Sequence, residues 1–126
     1  MILNSDELKP IYIQISKWIE GEILNGVFGV DEKVYSQYTL AEMFNINPAT
    51  AAKGLTKLAE EDILYDKRGL GKFVANDARE KIIDKRKNHT LKRMLKEIVQ
   101  ESERLEMGEE ELIMMLKAVK KGEDEQ

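Results

Sequence analysis

The stretch from residue 36 to residue 58 constrains the fold more than any other part of the chain. Its first half places Leu40 and Phe44 on one side of a helix that Ser36 can cap with its hydroxyl. A second helix begins sharply, because Asn47 suits the N-cap and Pro48 follows at the first helical position, where no N–H is needed. The sequence therefore predicts two short helices joined by a tight turn.

The second helix has two distinct faces. A 3.6-residue period puts Ala51, Leu55 and Leu58 on the buried side, and Ile46 closes the turn before it. The opposite side combines small residues with two lysines, and such a face can approach a phosphate-lined groove closely. The pattern also fits a plain helical hairpin with a solvated lysine face, so both interpretations stay open at this point. The exposed side consists of Ala49, Ala52, Lys53, Thr56 and Lys57.

Composition limits the architecture and the compartment. The chain has 126 residues, 42% of them hydrophobic, which suffices for one modest core and an extension. It has no cysteine, which excludes disulfides and thiolate chemistry and fits a reducing compartment. Residues 1–10 lack the segments of a secretory signal, and no apolar run comes near the roughly 18 residues of a membrane span. We therefore expect a cytoplasmic protein with no membrane partner.

The charge distribution is uneven. The net charge of −4 counts against nucleic-acid binding only if the charges are spread evenly over the surface. A cluster of basic side chains within residues 53–72 permits a positive face on an acidic protein. The cluster consists of Lys53, Lys57, Lys67, Arg68 and Lys72.

The flanking segments predict a winged helix. A helical pattern runs from Pro10 to Asn25, residues 33–35 can form a short strand, and residues 62–65 and 72–75 flank a turn that contains two glycines. The order helix, strand, helix, helix and hairpin is that of a winged helix-turn-helix, with the hairpin as the wing. Arg68 in the basic turn could enter a minor groove, although a solvated hairpin tip is the alternative.

An ordered set of residues in this region matches a known family. The set comprises Pro10-Ile11-Tyr12 with Gln14-Ile15, Gly26 after an Ile-Leu pair, Ser36 with Leu40-Ala41, Asn47-Pro48 with Thr50, Leu58 with Glu61 and Ile63-Leu64, and Arg68-Gly69-x-Gly71-x-Phe73-Val74. Over roughly residues 8–75, the chain resembles the GntR-type winged helix-turn-helix regulators. The start of the second helix and the brief C-terminal part are similar to the YtrA subfamily of short repressors, which often control ABC-transporter operons. The resemblance implies a homodimer that binds a palindromic operator in double-stranded DNA.

The chain departs from the usual family pattern at three positions. Tyr35 and Tyr38 stand where members usually have a proline and an arginine, and Ala52 stands where an arginine is often found in the recognition helix. Bidentate arginine contacts contribute about 1–3 kcal/mol of base discrimination each, so we expect weak direct readout by the second helix. Lysines and helix-terminal amides would supply affinity at phosphates. The predicted DNA-binding residues are Ser36, Gln37, Tyr38, Asn47, Pro48, Ala49, Thr50, Lys53, Lys57, Arg68, Gly69, Gly71 and Lys72.

Residues 77–126 predict a helical dimerisation extension that follows a DNA-binding domain at residues 1–76. One helix ends before Gly108 and a second runs from about Glu109 to Lys121, each with an apolar stripe that the other cannot cover completely. Because such a pair of helices is marginal in water, we expect a second copy to cover the stripes, with DNA half-sites ~10 bp or a multiple apart. The predicted dimerisation residues are Leu91, Leu95, Ile98, Leu105, Leu112, Met115 and Leu116.

Other features of the extension have two interpretations each. The basic residues 79–96 could face phosphates, but a solvated helix face paired with the acidic residues that follow is favoured. Methionines could line an effector pocket, although packing in the core or the dimer is preferred, and the identity of any effector stays open. His89 is the only histidine and lacks neighbouring ligands, so we expect no metal site and no cofactor. The methionines are Met94, Met107, Met114 and Met115.

Taken together, the patterns predict a mostly α-helical protein with a small β-hairpin, in which a winged helix-turn-helix precedes a two-helix extension. The predicted function is sequence-specific transcriptional regulation, with repression as the mode. An acidic helical adaptor that binds protein through a winged fold is the alternative that the net charge leaves open. An enzyme is not expected, because the sequence has no nucleophile–base pair, phosphate-binding glycine loop or metal constellation.

Overall fold

A computed structural model describes residues 9–123, which form six α-helices, one π-helical segment and one β-hairpin. Expectations about residues 1–8, including the absence of a secretory signal, lie outside this range. The mostly helical fold with a two-stranded antiparallel sheet confirms the predicted fold class. The elements are α1 (Ile11–Leu24), α2 (Gln37–Phe44), α3 (Pro48–Glu60), β1 (Leu64–Lys67), β2 (Gly71–Val74), α4 (Ala78–Lys85), the π-helical segment (Arg86–Leu91), α5 (Lys92–Arg104) and α6 (Glu109–Lys121).

The described residues form two compact units, and the boundary between them along the chain follows Asp84. We call them the winged unit, with α1 to α4 and the hairpin, and the C-terminal unit, with the π-helical segment, α5 and α6. The sequence placed the domain boundary earlier, after residue 76. The compact unit extends further because Ala78 and Ile82 of α4 are fully buried in its core. The division of function between the two parts stays a prediction.

The core of the winged unit is built from the apolar stripes of its helices. Ile15 and Ile19 of α1 are fully buried, as is Leu40 of α2. Burial of an aliphatic side chain of this size contributes about 1.5–3 kcal/mol to stability. The residues predicted to face the core from α3 and the preceding turn are buried or packed against it: Ala51, Leu55, Leu58 and Ile46.

The wing is the hairpin of β1 and β2, whose last pair joins Lys67 to Gly71. Its turn is closed by the Leu70 N–H, which donates to the Lys67 carbonyl at 2.8 Å. Gly69 and Gly71 adopt φ angles of 78° and 114°, in the region that side chains disfavour. The two glycines therefore allow the tight turn that the sequence predicted.

Residues 33–35 lie beside β2 without forming a complete strand. Lys33 makes a single bridge, opposite Phe73, and the Val34 N–H donates to the Lys72 carbonyl at 3.0 Å. The predicted short strand is thus reduced to one bridge, because the chain turns into the N-cap of α2 at Ser36.

In the C-terminal unit, the π-helical segment leads directly into α5. Leu105 lies just after the last residue of α5 rather than within the helix. The second helix, α6, spans the residues that the sequence predicted and ends at Gly122, which adopts a left-handed conformation. Within residues 9–123, no helix combines the length and the apolar character needed to cross a membrane.

Candidate nucleic-acid interface and apolar C-terminal face

The start of α3 is built by the residues that predicted it. Asn47 Oδ1 accepts a hydrogen bond from the Ala49 N–H at 2.7 Å, and Pro48 occupies the first helical position. Asn45 adopts a left-handed conformation with φ of 55°, which redirects the chain between α2 and α3. These first residues of α3 are exposed, so the positive end of the helix dipole faces solvent.

The N-terminus of α2 and the wing line a common cleft of about 210 Å³. Ser36 caps α2 by accepting a hydrogen bond from the Thr39 N–H at 3.1 Å, as predicted. Leu55 reaches the cleft from α3, so all three parts of the winged helix contribute to its walls. Of the predicted DNA-binding residues, the cleft brings together Ser36, Gln37, Tyr38, Gly71 and Lys72.

Two predicted lysines of α3 lie at a different cleft. Lys53 and Lys57 line a groove of about 510 Å³ together with Tyr12 of α1. The predicted contact residues therefore occupy two separate depressions, one at the wing and one between α1 and α3. Sequence patterns did not indicate this separation, since it depends on how α1 packs against α3.

The lysines predicted to contact phosphates already have intramolecular partners. The two carboxylate pairs are partly exposed, and pairs of this kind contribute about 0–1 kcal/mol. A phosphate can therefore displace the partner at small cost. The contacts are Lys53 Nζ over the ring of Tyr12 (4.1 Å to the centroid), Lys57 Nζ to Glu61 (2.7 Å) and Lys72 Nζ to Asp66 (2.6 Å). Sequence reasoning missed Tyr12, whose contact with Lys53 joins two helices.

Arg68 lies at the exposed turn of the wing. Within residues 9–123 it has no hydrogen-bond or ion-pair partner. Its neighbour Lys67 differs, because the Lys67 ammonium lies 4.5 Å from the ring centroid of Phe73. The arginine side chain is thus available to a groove or a phosphate.

The departures from the family pattern have different structural settings. Tyr35 is half-buried, with its ring centroid 6.0 Å from Trp18 and 5.0 Å from Phe28, so it contributes to the core. Ala52 is half-buried on α3. Tyr38 is 70% exposed and remains accessible at the N-terminus of α2.

The first residues of the basic stretch 79–96 fasten α4 to the winged unit. Arg79 donates to the Leu24 carbonyl at 2.7 Å, and Lys81 donates to the Asp62 carbonyl at 3.1 Å. Lys81 also lies 3.3 Å from the carboxylate of Asp77. These two cations therefore have structural partners, which sequence patterns did not reveal.

The C-terminal unit exposes much of its apolar surface. Leu95 and Leu116 are 50% and 56% exposed, while Leu112 is half-buried. Met107 is half-buried, and the other three methionines considered for an effector pocket are exposed. The exposed members of the predicted dimerisation set are Leu91, Leu95, Ile98, Leu105, Met115 and Leu116.

Metal-binding groups are not assembled in the part of the chain that the structure describes. There, no group of three His, Cys, Asp or Glu side chains is arranged to hold a metal ion. His89 is exposed in the π-helical segment.

The chain matches no protein-family model. Among solved structures, it is similar to a GntR family transcriptional regulator from Listeria monocytogenes, with 30% sequence identity and a TM-score of 0.72. The match covers 89% of this chain and 96% of that one. The chain belongs to the GntR family. This membership confirms the resemblance inferred from the ordered residues.

Curated relatives of this GntR-family chain include repressors. It is 29% identical to the HTH-type transcriptional repressor YtrA of Bacillus subtilis, over 71% of this chain and 68% of YtrA. It is 32% identical to the repressor NagR of the same organism, over 66% of this chain but only 34% of NagR. It spans 14% and 30% of two further B. subtilis regulators, so these relatives are much longer.

A further solved structure is that of the AraR DNA-binding domain in complex with the operator ORX1. That domain is 28% identical to this GntR-family chain and superposes with a TM-score of 0.55. The match covers 60% of this chain and 95% of the AraR domain.

Proposed function

We propose that this chain is a DNA-binding transcriptional repressor that acts as a homodimer on a palindromic operator. The observation that carries the proposal is the shared cleft, where the N-terminus of α2, Leu55 of α3 and the wing meet. Helix-terminal amides and wing cations on one surface can bind neighbouring phosphates of one duplex. The operator complex of the AraR domain supports the proposal, because that domain has the same fold.

In this proposal, α3 lies in the major groove and the wing contacts the adjacent minor groove. The start of α3 carries the exposed Ala49 and the half-buried Thr50, which are small enough for a close approach to base edges. Lys53 and Lys57 contact phosphates after leaving their intramolecular partners. Arg68 enters the minor groove from the wing tip.

A second copy covers the apolar face of the C-terminal unit in the proposed dimer. The exposed leucines and methionines of α5 and α6 otherwise remain in contact with water, which costs about 25 cal/mol per Å² of apolar surface. A two-fold axis through this face relates two winged units and requires a palindromic site.

The proposed target genes rest on sequence similarity alone. The chain covers 68% of YtrA, and its resemblance to the YtrA subfamily supports a transporter operon as the proposed target and the cytoplasm as the proposed compartment. Repression is the proposed mode because the named relatives YtrA and NagR are repressors.

Selection of bound duplexes from a random-sequence pool tests the proposal. A palindromic consensus with half-sites about one helical turn or a multiple apart is the expected result. The selected duplex should then lose affinity steeply as the salt concentration rises, because phosphate contacts release counterions. No binding at low salt would overturn the proposal and favour a protein-binding adaptor, and a non-palindromic consensus would overturn the dimeric mode.

A further inference from the structure

The cations of the surface formed by α2, α3 and the wing differ in whether they already have a partner. Four of them contact a carboxylate or an aromatic ring within the chain. The partnered cations are Lys53, Lys57, Lys67 and Lys72. Within residues 9–123, Lys33 and Arg68 have no such partner. Sequence patterns had pointed to Arg68 but not to Lys33.

Lys33 is tied to the wing through its backbone. It forms the bridge opposite Phe73 of β2, and the next residue, Val34, donates its N–H to the Lys72 carbonyl. Its side chain lies across Gly71: a methyl group placed on that glycine would lie 2.9 Å from Lys33 Cε and 3.7 Å from Nζ. The ammonium therefore lies beside the wing.

Lys33 also supplies the unbalanced charge of the wing cleft. The cleft is lined by Lys33, Lys72 and Asp66, and the last two neutralise each other at 2.6 Å. The remaining positive charge faces the N-terminus of α2, whose first amides also attract anions. An anion entering the cleft therefore meets Lys33 without first breaking an ion pair.

We propose that Lys33 is a positioning residue of the DNA interface, which binds a backbone phosphate and thereby sets the wing on the duplex. The inference rests on the proposed DNA-binding function. A lysine binds phosphate as a point charge and carries no base information, so its contribution is independent of DNA sequence. Because Lys33 and β2 are joined through backbone hydrogen bonds, a phosphate held by Lys33 fixes the distance of the wing tip from the groove.

The test uses the full chain, a random-sequence duplex and a series of salt concentrations. Lys33→Gln should weaken binding and lower the slope of log affinity against log salt by about 0.9 per bound protomer, the loss of one phosphate contact. Lys33→Arg should keep the wild-type slope because it keeps the charge. Lys120→Gln removes an exposed lysine of α6 and serves as the matched control, with an unchanged slope.

The outcomes separate this inference from the proposed function. A wild-type slope in Lys33→Gln, in a chain that binds DNA and has an unchanged thermal midpoint, would overturn the role of Lys33 alone. Failure of the wild-type chain to bind any duplex at low salt would overturn the proposed function and this inference with it. Weaker binding by Lys33→Arg to the same extent as by Lys33→Gln would also contradict a charge contact.

Discussion

Gly54 and Ile15 lie in direct contact where α3 crosses α1. A methyl group added to Gly54 would lie 2.9 Å from Ile15 Cγ2 and 2.9 Å from the backbone oxygen of Tyr12. The backbone oxygen cannot move away as the end of a flexible side chain can. The absence of a side chain at Gly54 therefore sets how closely α3 packs on α1.

Gly54→Ala should destabilise the protein, although alanine is the better helix former by about 1 kcal/mol. Forcing a methyl group against the backbone oxygen costs about 1–3 kcal/mol, so the expected net change is a destabilisation of up to about 2 kcal/mol. Gly21→Ala is the matched control, since Gly21 lies within α1 and an added methyl group meets no atom within 4 Å. It should stabilise by about 0.5–1 kcal/mol. Urea unfolding measures both changes, and equal stability of the two variants would contradict the close contact.

Asp66→Asn should tighten DNA binding, because it releases Lys72 from its 2.6 Å ion pair. A phosphate that binds Lys72 then no longer has to displace a carboxylate, so the affinity should rise by up to about 1 kcal/mol while the salt slope stays the same. Asp77→Asn provides the control: it changes the charge equally and releases Lys81, on α4. Salt-dependent titration of a duplex compares the variants. A similar gain in both would indicate that net charge, and not Lys72, controls affinity.

Leu95→Asp and Leu116→Asp should convert the proposed dimer into a monomer, because each places a charge in the exposed apolar face of the C-terminal unit. Sedimentation measures the mass. Lys121→Glu is the control, since it makes an exposed residue of α6 acidic outside the predicted dimerisation set. A dimer that persists in both leucine variants would exclude this face as the self-association surface.

Asp31→Asn should lower the pKa of Tyr65. The Tyr65 hydroxyl donates to the Asp31 carboxylate at 2.7 Å, and this hydrogen bond, with desolvation and the negative charge of Asp31, raises the pKa of the phenol. A pKa raised on folding adds stability below the unfolded value of about 10, and that stability is lost as the pH rises through the folded pKa. NMR titration of the tyrosine Cζ resonances measures the shift, with Tyr65→Phe to assign the signal. An unchanged pKa would show that Asp31 does not perturb Tyr65. Asparagine also suits the positive φ of residue 31.

Local chemistry made much of the winged helix predictable. Ser36 caps α2 and Asn47 caps α3 through hydrogen bonds to residues only three and two positions further along the chain. Their roles can therefore be predicted from neighbouring residues. The apolar period of α3 predicted its buried face for the same reason. The tight turn of the wing was predictable because Gly69 and Gly71 can adopt the positive φ angles that it requires.

Contacts between distant parts of the chain were not predictable in this way. Lys53 lies over Tyr12, and Arg79 donates to the Leu24 carbonyl, because the packing of helices brings these residues together. The burial of Ile82 extended the winged unit beyond the expected boundary, since α4 carries apolar residues too sparsely for a strong pattern. No sequence pattern marks Lys33, because its position beside Gly71 depends on the bridge to Phe73.

Two hydrogen bonds attach α4 to the winged unit near the C-terminal ends of α1 and α3. Arg79 and Lys81 hold two backbone carbonyls, that of Leu24 at the end of α1 and that of Asp62 just beyond α3. We therefore expect a pull on α4 to act first at these two helix ends, far from the start of α3 at Pro48.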